Sequence, residues 1–232
     1  FLKLMTTDLE FLKRFILMIN QDQVKKLVST RIIVFGTGGV GSAVCNFLVR
    51  SGISNLTIVD FDKIDITNIN RQLVANVSNV GNLKVEEMKK QLLNINPNAN
   101  ITALAEKYDE NSKIDLGAFD IIIDCIDDIK AKKHLISQAK NKGTYIICSM
   151  GAGNRYNEIP QFEIADISKT SYDPIAKILR KYCAENRIKK LDVCYTKQKA
   201  TKFDCKTVAS VVYYPVMMAG TIVAKVITKI VN

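Results

Sequence analysis

A doubly wound, mostly parallel α/β sheet with helices on both faces is the fold that this 232-residue sequence predicts. Three observations carry that reading. Short apolar runs alternate with helical patterns from Arg31 to Ser149. Glycines or carboxylates stand where those runs end, which is where ligands bind in sheets of this kind. Runs such as Ile32-Ile33-Val34-Phe35 and Ile121-Ile122-Ile123 suit buried strands and are far too short to span a bilayer.

The elements follow in order. Leu9 to Leu27 has helical spacing and should pack on what comes next. Arg31 to Phe35 reads as a strand, and Gly36-Thr37-Gly38-Gly39-Val40-Gly41 then opens a helix to about Arg50, ended by Gly52. Leu56 to Asp60 is the second strand, and Asn82 to Asn94 a helix stopped ahead of Pro97. Ile101 to Leu104 and Asp120 to Asp124 are short strands. A helix from about Asp128 to Lys140 leads to the strand Thr144 to Ser149.

Beyond Gly151 the alternation loosens. Asp173-Pro174 starts a helix to about Ala184, Leu191 to Thr196 reads as a strand, and Tyr213 to Val231 as a helix. We read residues 1–232 as one domain, with an N-terminal helical segment (1–30), a nucleotide-binding core (31–150) and a basic substrate-side extension (151–232) on the same sheet.

Composition narrows the class. The six cysteines include no Cys-x-x-Cys pair, which argues against a zinc site or a disulfide framework and for reduced thiols in a cytoplasmic protein. No signal-peptide order opens the chain, which lacks an initiator Met, and no membrane association is expected. Of the net charge of +10, +7 lies from Gly151 onward, where 14 Lys and Arg face 7 Asp and Glu. A polyanionic partner and a merely Lys-, Asn- and Ile-rich composition explain that charge equally well.

The glycine loop is the strongest local signal. A strand-to-helix turn rich in glycine lets phosphate approach the backbone and aims helix N–H groups at it. Asp60, 24 residues after Gly36, ends the next strand, suitably placed for a ribose hydroxyl pair. These features alone also fit a nicotinamide-dependent dehydrogenase. Three others favour ATP with magnesium. Asn68-Ile69-Asn70-Arg71-Gln72 sets polar groups and a cation beyond the second strand, Lys84 offers a second cation, and Asp124-Cys125-Ile126-Asp127-Asp128 sets carboxylates at a strand end. Singly, each reads as a solvated surface charge.

In order and spacing, Gly-x-Gly-Gly-x-Gly, Asp60-Phe61-Asp62, Asn70-Arg71-Gln72, Lys84 and Asp127 resemble the ThiF/MoeB/ubiquitin-activating-enzyme superfamily, over most of Arg14 to Ile147. The resemblance implies adenylation of a carboxylate. It implies that Arg71 and Lys84 stabilise phosphates, that Asp127 binds Mg2+, and that Asp60 holds the ribose of ATP. Gly36, Gly38, Gly39, Gly41, Asp62, Asn68 and Asn70 complete the implied nucleotide contacts. Arg14 stands where the family has an arginine that reaches a neighbouring subunit's phosphates, which implies a homodimer.

Gly151-Ala152-Gly153-Asn154-Arg155 and Lys169-Thr170-Ser171-Tyr172-Asp173-Pro174 resemble the tRNA threonylcarbamoyladenosine dehydratase branch of that superfamily. That branch implies ATP-dependent cyclisation of threonylcarbamoyladenosine at position 37 of tRNA, with loss of AMP, and leaves room for a sulfur-transfer protein partner. The tRNA-facing residues would be Lys169, Arg155, Lys197, Lys199 and Lys202. The densest basic cluster joins Lys197, Lys199, Lys202 and Lys206 with Arg187, Lys189 and Lys190. Cys205 and the lone His134 read as structural or surface residues. Two other readings stay open: an enzyme adenylating a ubiquitin-like or sulfur-carrier protein, and a non-catalytic nucleotide- or tRNA-binding scaffold.

Overall fold

The protein is described by a computed structural model over residues 7–204 and 207–232, so Cys205 and Lys206 lie outside the described residues. A 3-10 stretch at Thr7–Leu12 leads into α1 (Lys13–Ile16) and α2 (Gln21–Ser29), then β1 (Arg31–Phe35), α3 (Gly39–Arg50) and β2 (Asn55–Val59). There follow α4 (Lys84–Ile95), β3 (Asn100–Leu104), β4 (Ile121–Asp124), α5 (Ile129–Lys142) and β5 (Tyr145–Ser149). The chain closes with β6 (Glu163–Asp166), α6 (Pro174–Glu185), β7 (Asp192–Tyr195) and α7 (Tyr213–Val231).

Among the described residues the strands form one seven-stranded sheet in the order β3-β2-β1-β4-β5-β7-β6, parallel except for β6, which runs antiparallel to β7. The strands of the parallel core are buried on both faces, so their alternate residues serve different cores. Ile32 and Val34 pack with α2, α3, α4 and α7, while Ile33 and Phe35 pack with α5 and α6. Because the parallel strands point one way, their carboxyl ends share one edge of the sheet. The switch between β1 and β4, where the strand order reverses, opens a crevice there.

Two expectations are corrected. The helix expected from Leu9 to Leu27 is broken at Leu17–Asn20, because Asn20 forms a capping box with Gln23 and starts α2 afresh. The edge strand β6 was not foreseen; only four residues long and half-exposed, it has little apolar pattern of its own and exists by pairing with β7. α7 is long and apolar enough to cross a bilayer by length and composition, yet Tyr214, Met218, Ile222 and Val226 are buried in the core beside α3 and α2.

Candidate active site

Gly36 ends β1 with φ +86, and a Cβ there would lie 2.7 Å from the carbonyl oxygen of Cys125, so the turn admits only glycine. Gly41 lies inside α3, where a Cβ would come within 1.8 Å of the Gly36 carbonyl oxygen. It permits the close packing of loop on helix and does not itself line the cavity. Gly36, Gly38 and Gly39 do line it. Gly38 is the N-cap of α3, so the helix N-terminus opens on the cavity, a favourable place for anionic groups.

That cavity measures about 830 Å³, within the range of small-molecule sites. Asp60, Asp62, Asn68, Arg71, Lys84 and Asp127 stand on its wall, brought together from the ends of β2 and β4 and the loops after them. Asp60, 9% exposed, accepts from the backbone N–H of Thr37 (2.6 Å) and from its hydroxyl (2.9 Å). Its Oδ1 accepts from the Asp62 N–H at 2.9 Å, so Asp60 pins the glycine loop and keeps one acceptor position on Oδ1 for a ribose hydroxyl. Thr37 carries no phosphate signature, and sequence reasoning passed over it.

Lys84 is 5% exposed and its ammonium pairs with Asp62 at 2.7 Å, so Asp62 holds the cation in place. Arg71 donates through Nη1 to the Thr67 carbonyl (2.8 Å) and to Asn70 Oδ1 (3.0 Å). Asn70 is exposed and off the cavity wall; its Nδ2 donates to the Ser210 carbonyl at 2.9 Å. Asn70 thereby ties this loop to the segment before α7. Gln72, 6% exposed, keeps Oε1 without a protein partner on the cavity wall, an acceptor suited to a bound donor.

The carboxylates after β4 divide their tasks. Asp124 and Lys132 form an ion pair at 2.8 Å, both side chains fully buried, with Lys132 also donating to the Ser149 carbonyl. Burial, the largest single influence, works to lower the Lys132 pKa, but the Asp124 carboxylate with its hydrogen bond, joined by Cys148 and Cys125, turns the net shift upward, so Lys132 stays charged. Asp128 caps α5, accepting from the Ala131 N–H at 2.8 Å. Asp127 is exposed on the cavity wall and makes no ion pair with another described residue. Among the described residues no cluster of three or more acidic, His or Cys side chains forms a metal cage. A single carboxylate beside a phosphate-binding turn suits Mg2+, which takes its other ligands from phosphate and water.

Several further wall residues come from distant parts of the chain. Tyr108 stacks edge-on against Phe35, with centroids 4.7 Å apart, and burial raises its phenol pKa to about 12. Val208, Ser210 and Pro215 close the other side. Cys125 also lines the cavity, but burial first and Asp124 second raise its thiol to about 12, so it is no thiolate nucleophile.

The predicted substrate residues do not form one patch. Arg155 is 4% exposed, donating to the carbonyls of Gln198, Gly151 and Gly153 at 2.9 to 3.2 Å. It braces the loop after β5 from inside, which corrects its placement on the tRNA-facing surface. Lys169, Lys197, Lys199 and Lys202 are exposed, at the carboxyl side of β7 or after β6. Lys197 pairs with Glu163 at 2.8 Å, and that contact, followed by the Tyr195 hydroxyl, holds the Glu163 carboxyl below its usual range. Arg187, Lys189 and Lys190 precede β7, and the Lys190 carbonyl accepts from Lys140 at the end of α5. They therefore sit at the opposite end of the strand from Lys197, and the expected single cluster is two. Arg14 is exposed on α1 and does not line the cavity. His134 packs beside Tyr108, with ring centroids 5.6 Å apart.

A cavity at the carboxyl ends of parallel strands, roofed by a glycine turn over a helix N-terminus, defines a nucleotide-binding α/β domain. The profile of the ThiF family matches residues 12–232, and the chain belongs to that family. It is 41% identical over 177 residues to the tRNA threonylcarbamoyladenosine dehydratase of Bacillus subtilis, covering 75% of this chain and 69% of that one. It is 38% identical over 161 residues to the protein of the same name from Haemophilus influenzae, covering 68% of this chain and 61% of the relative. The fold also matches the crystal structure of Escherichia coli tRNA N6-threonylcarbamoyladenosine dehydratase in complex with ATP, with a TM-score of 0.87, 23% identity and coverage of 96% and 94%.

Proposed function

We propose that this protein is an ATP-dependent tRNA threonylcarbamoyladenosine dehydratase. One observation carries the reading: Arg71, Lys84, Asp60 and Asp127 meet around the glycine turn in one cavity, in a chain 41% identical to an enzyme of that name. The substrate carboxylate attacks the α-phosphorus of ATP, and pyrophosphate leaves with the bond electrons. The glycine turn and the N-terminus of α3 receive the phosphates, while Arg71 and Lys84 offset charge growing on the departing oxygens. A nucleophile within the same substrate then closes on the activated carbonyl and expels AMP, so the tRNA loses one water overall.

Asp127 would hold Mg2+, which supplies charge neutralisation at the phosphates. Asp60 accepts from the ribose while keeping Thr37 in place. No enzyme thiol is needed, in keeping with the raised pKa values of Cys45, Cys125, Cys148 and Cys194. In this reading Arg14 completes the site of a second copy in a homodimer. The exposed lysines at 169, 197, 199 and 202 meet tRNA phosphates. A cytoplasmic setting supplies ATP and tRNA, and a sulfur-transfer protein is a candidate partner.

The test is to incubate the protein with ATP, Mg2+ and tRNA bearing threonylcarbamoyladenosine, and to follow the modified nucleoside by mass spectrometry. We expect a loss of one water that requires ATP. An unchanged mass, with the same tRNA converted by a control dehydratase, would sink the reading.

A further inference from the structure

The segment that most recommends a tRNA substrate presents an aromatic ring that the catalytic account does not use. Tyr172 is 66% exposed, unusual for so large a ring, and its backbone is left-handed at φ +57. Its neighbours on both sides are fixed by buried polar contacts. Thr170, 7% exposed, donates to the Ile167 carbonyl and receives Arg180 Nη1 at 2.6 Å. Asp173, 3% exposed, caps α6 through the Ala176 N–H and holds the Gly151 N–H at 3.0 Å. The ring is thus carried outward on a rigid mount, close in the chain to Ile175 on the cavity wall.

One cation reaches this mount directly. The Lys199 ammonium lies 5.6 Å from the Tyr172 ring centroid, which joins the 169–174 and 197–202 segments across the chain. Lys169, Lys197 and Lys202 are exposed on the same two segments, and from Gly151 onward the chain carries +7 of its +10 charges. Exposed aromatic faces interleaved with lysines are how proteins hold unpaired nucleotides, ring on ring, with phosphates on the cations.

Resting on the reading of tRNA as substrate, we infer that Tyr172 is a stacking platform for a nucleotide next to the modified adenosine, with Lys199 on that nucleotide's phosphate. An adenosine that enters the cavity must leave the stack of its loop, which deprives its neighbour of a partner. The Tyr172 ring takes that place. Tyr172 is therefore a positioning and specificity residue, and no bond of the reaction is made at it.

The experiment uses fluorescence anisotropy of the full chain with a labelled anticodon stem-loop RNA that carries threonylcarbamoyladenosine, across a salt series. Tyr172→Ala should weaken binding about tenfold with the salt slope unchanged. Tyr172→Phe should bind within about twofold of the parent, and Tyr172→Leu should fail to restore it, since stacking needs a π-face. Lys199→Ala should lower the salt slope by about 1. ATP binding and the melting temperature should be unmoved by all four changes.

If Tyr172→Ala or Tyr172→Leu binds RNA like the parent while the parent still converts tRNA, the platform is overturned and the dehydratase reading stands. A Tyr172→Ala protein that loses ATP binding as well overturns it too, by showing a structural role. A parent that neither binds this RNA nor removes water from it defeats the dehydratase reading itself.

Discussion

The loops after β1, β2 and β4 and those after β5 use polar side chains in different ways. In the first group, Arg71, Lys84 and Asp127 stand on the cavity wall, each beside a residue that steadies it or its loop: Asn70, Asp62 and Asp128. In the second, Arg155, Thr170 and Asp173 turn inward to hold loops, while Lys169, Lys197, Lys199, Lys202 and the Tyr172 ring are among the residues that reach solvent. The contrast matches the two ligands proposed. Phosphate chemistry needs fixed charges in a partly desolvated pocket, whereas a polynucleotide needs a rigid, open, basic face.

The comparison can be broken most severely at Asp127. Asp127→Ala should cut turnover about a thousandfold, a loss of the size seen when one electrostatic contact to a transition state is deleted. Because Asp127 is exposed and outside the ion pairs described above, the melting temperature should hold. Steady-state turnover and a thermal melt on the same sample check both halves, and a destabilised variant would place Asp127 among the bracing residues.

Lys132 sharpens the division within the first group. Lys132→Ala leaves the Asp124 carboxylate buried without its cation, and should cost about 3 kcal/mol in denaturant unfolding. Since the folded pKa of Lys132 is raised above 10.5, the pair's contribution is complete below that pH and is lost as pH climbs through the folded value. Stability measured up to about pH 10 should therefore show no loss from this pair.

A smaller effect is expected at Asp173. Asp173→Ala removes the cap of α6 and the tie to Gly151, and should cost about 1 to 2 kcal/mol. Because Gly151 lines the cavity, apparent ATP affinity should fall with it, by less than for Arg71→Ala. Equilibrium unfolding and nucleotide titration check the pair of effects.

Much of this was legible in the sequence where function coincides with chain direction. The sheet core was readable because β1, β2 and β4 are apolar runs that lead into glycine or carboxylate, and Asp60, Arg71, Lys84 and Asp127 lie beyond the ends of β2 and β4. What sequence could not show is which side chains turn inward. Arg155 looks like a surface cation until three carbonyls are seen around it, and the tie of Asn70 to Ser210 shows only in the fold. The split of Arg187, Lys189 and Lys190 from Lys197 needs the direction of β7, and Tyr108, Val208 and Pro215 reach the cavity only through tertiary packing.

The central claim is that the cavity activates a carboxylate presented by tRNA on the basic face beside it. ATP–pyrophosphate exchange tests it most directly. Exchange should rise when tRNA bearing threonylcarbamoyladenosine is added, and should stay at background with unmodified tRNA or with a carrier protein ending in Gly-Gly. Strong exchange with the carrier protein and none with the modified tRNA would contradict it.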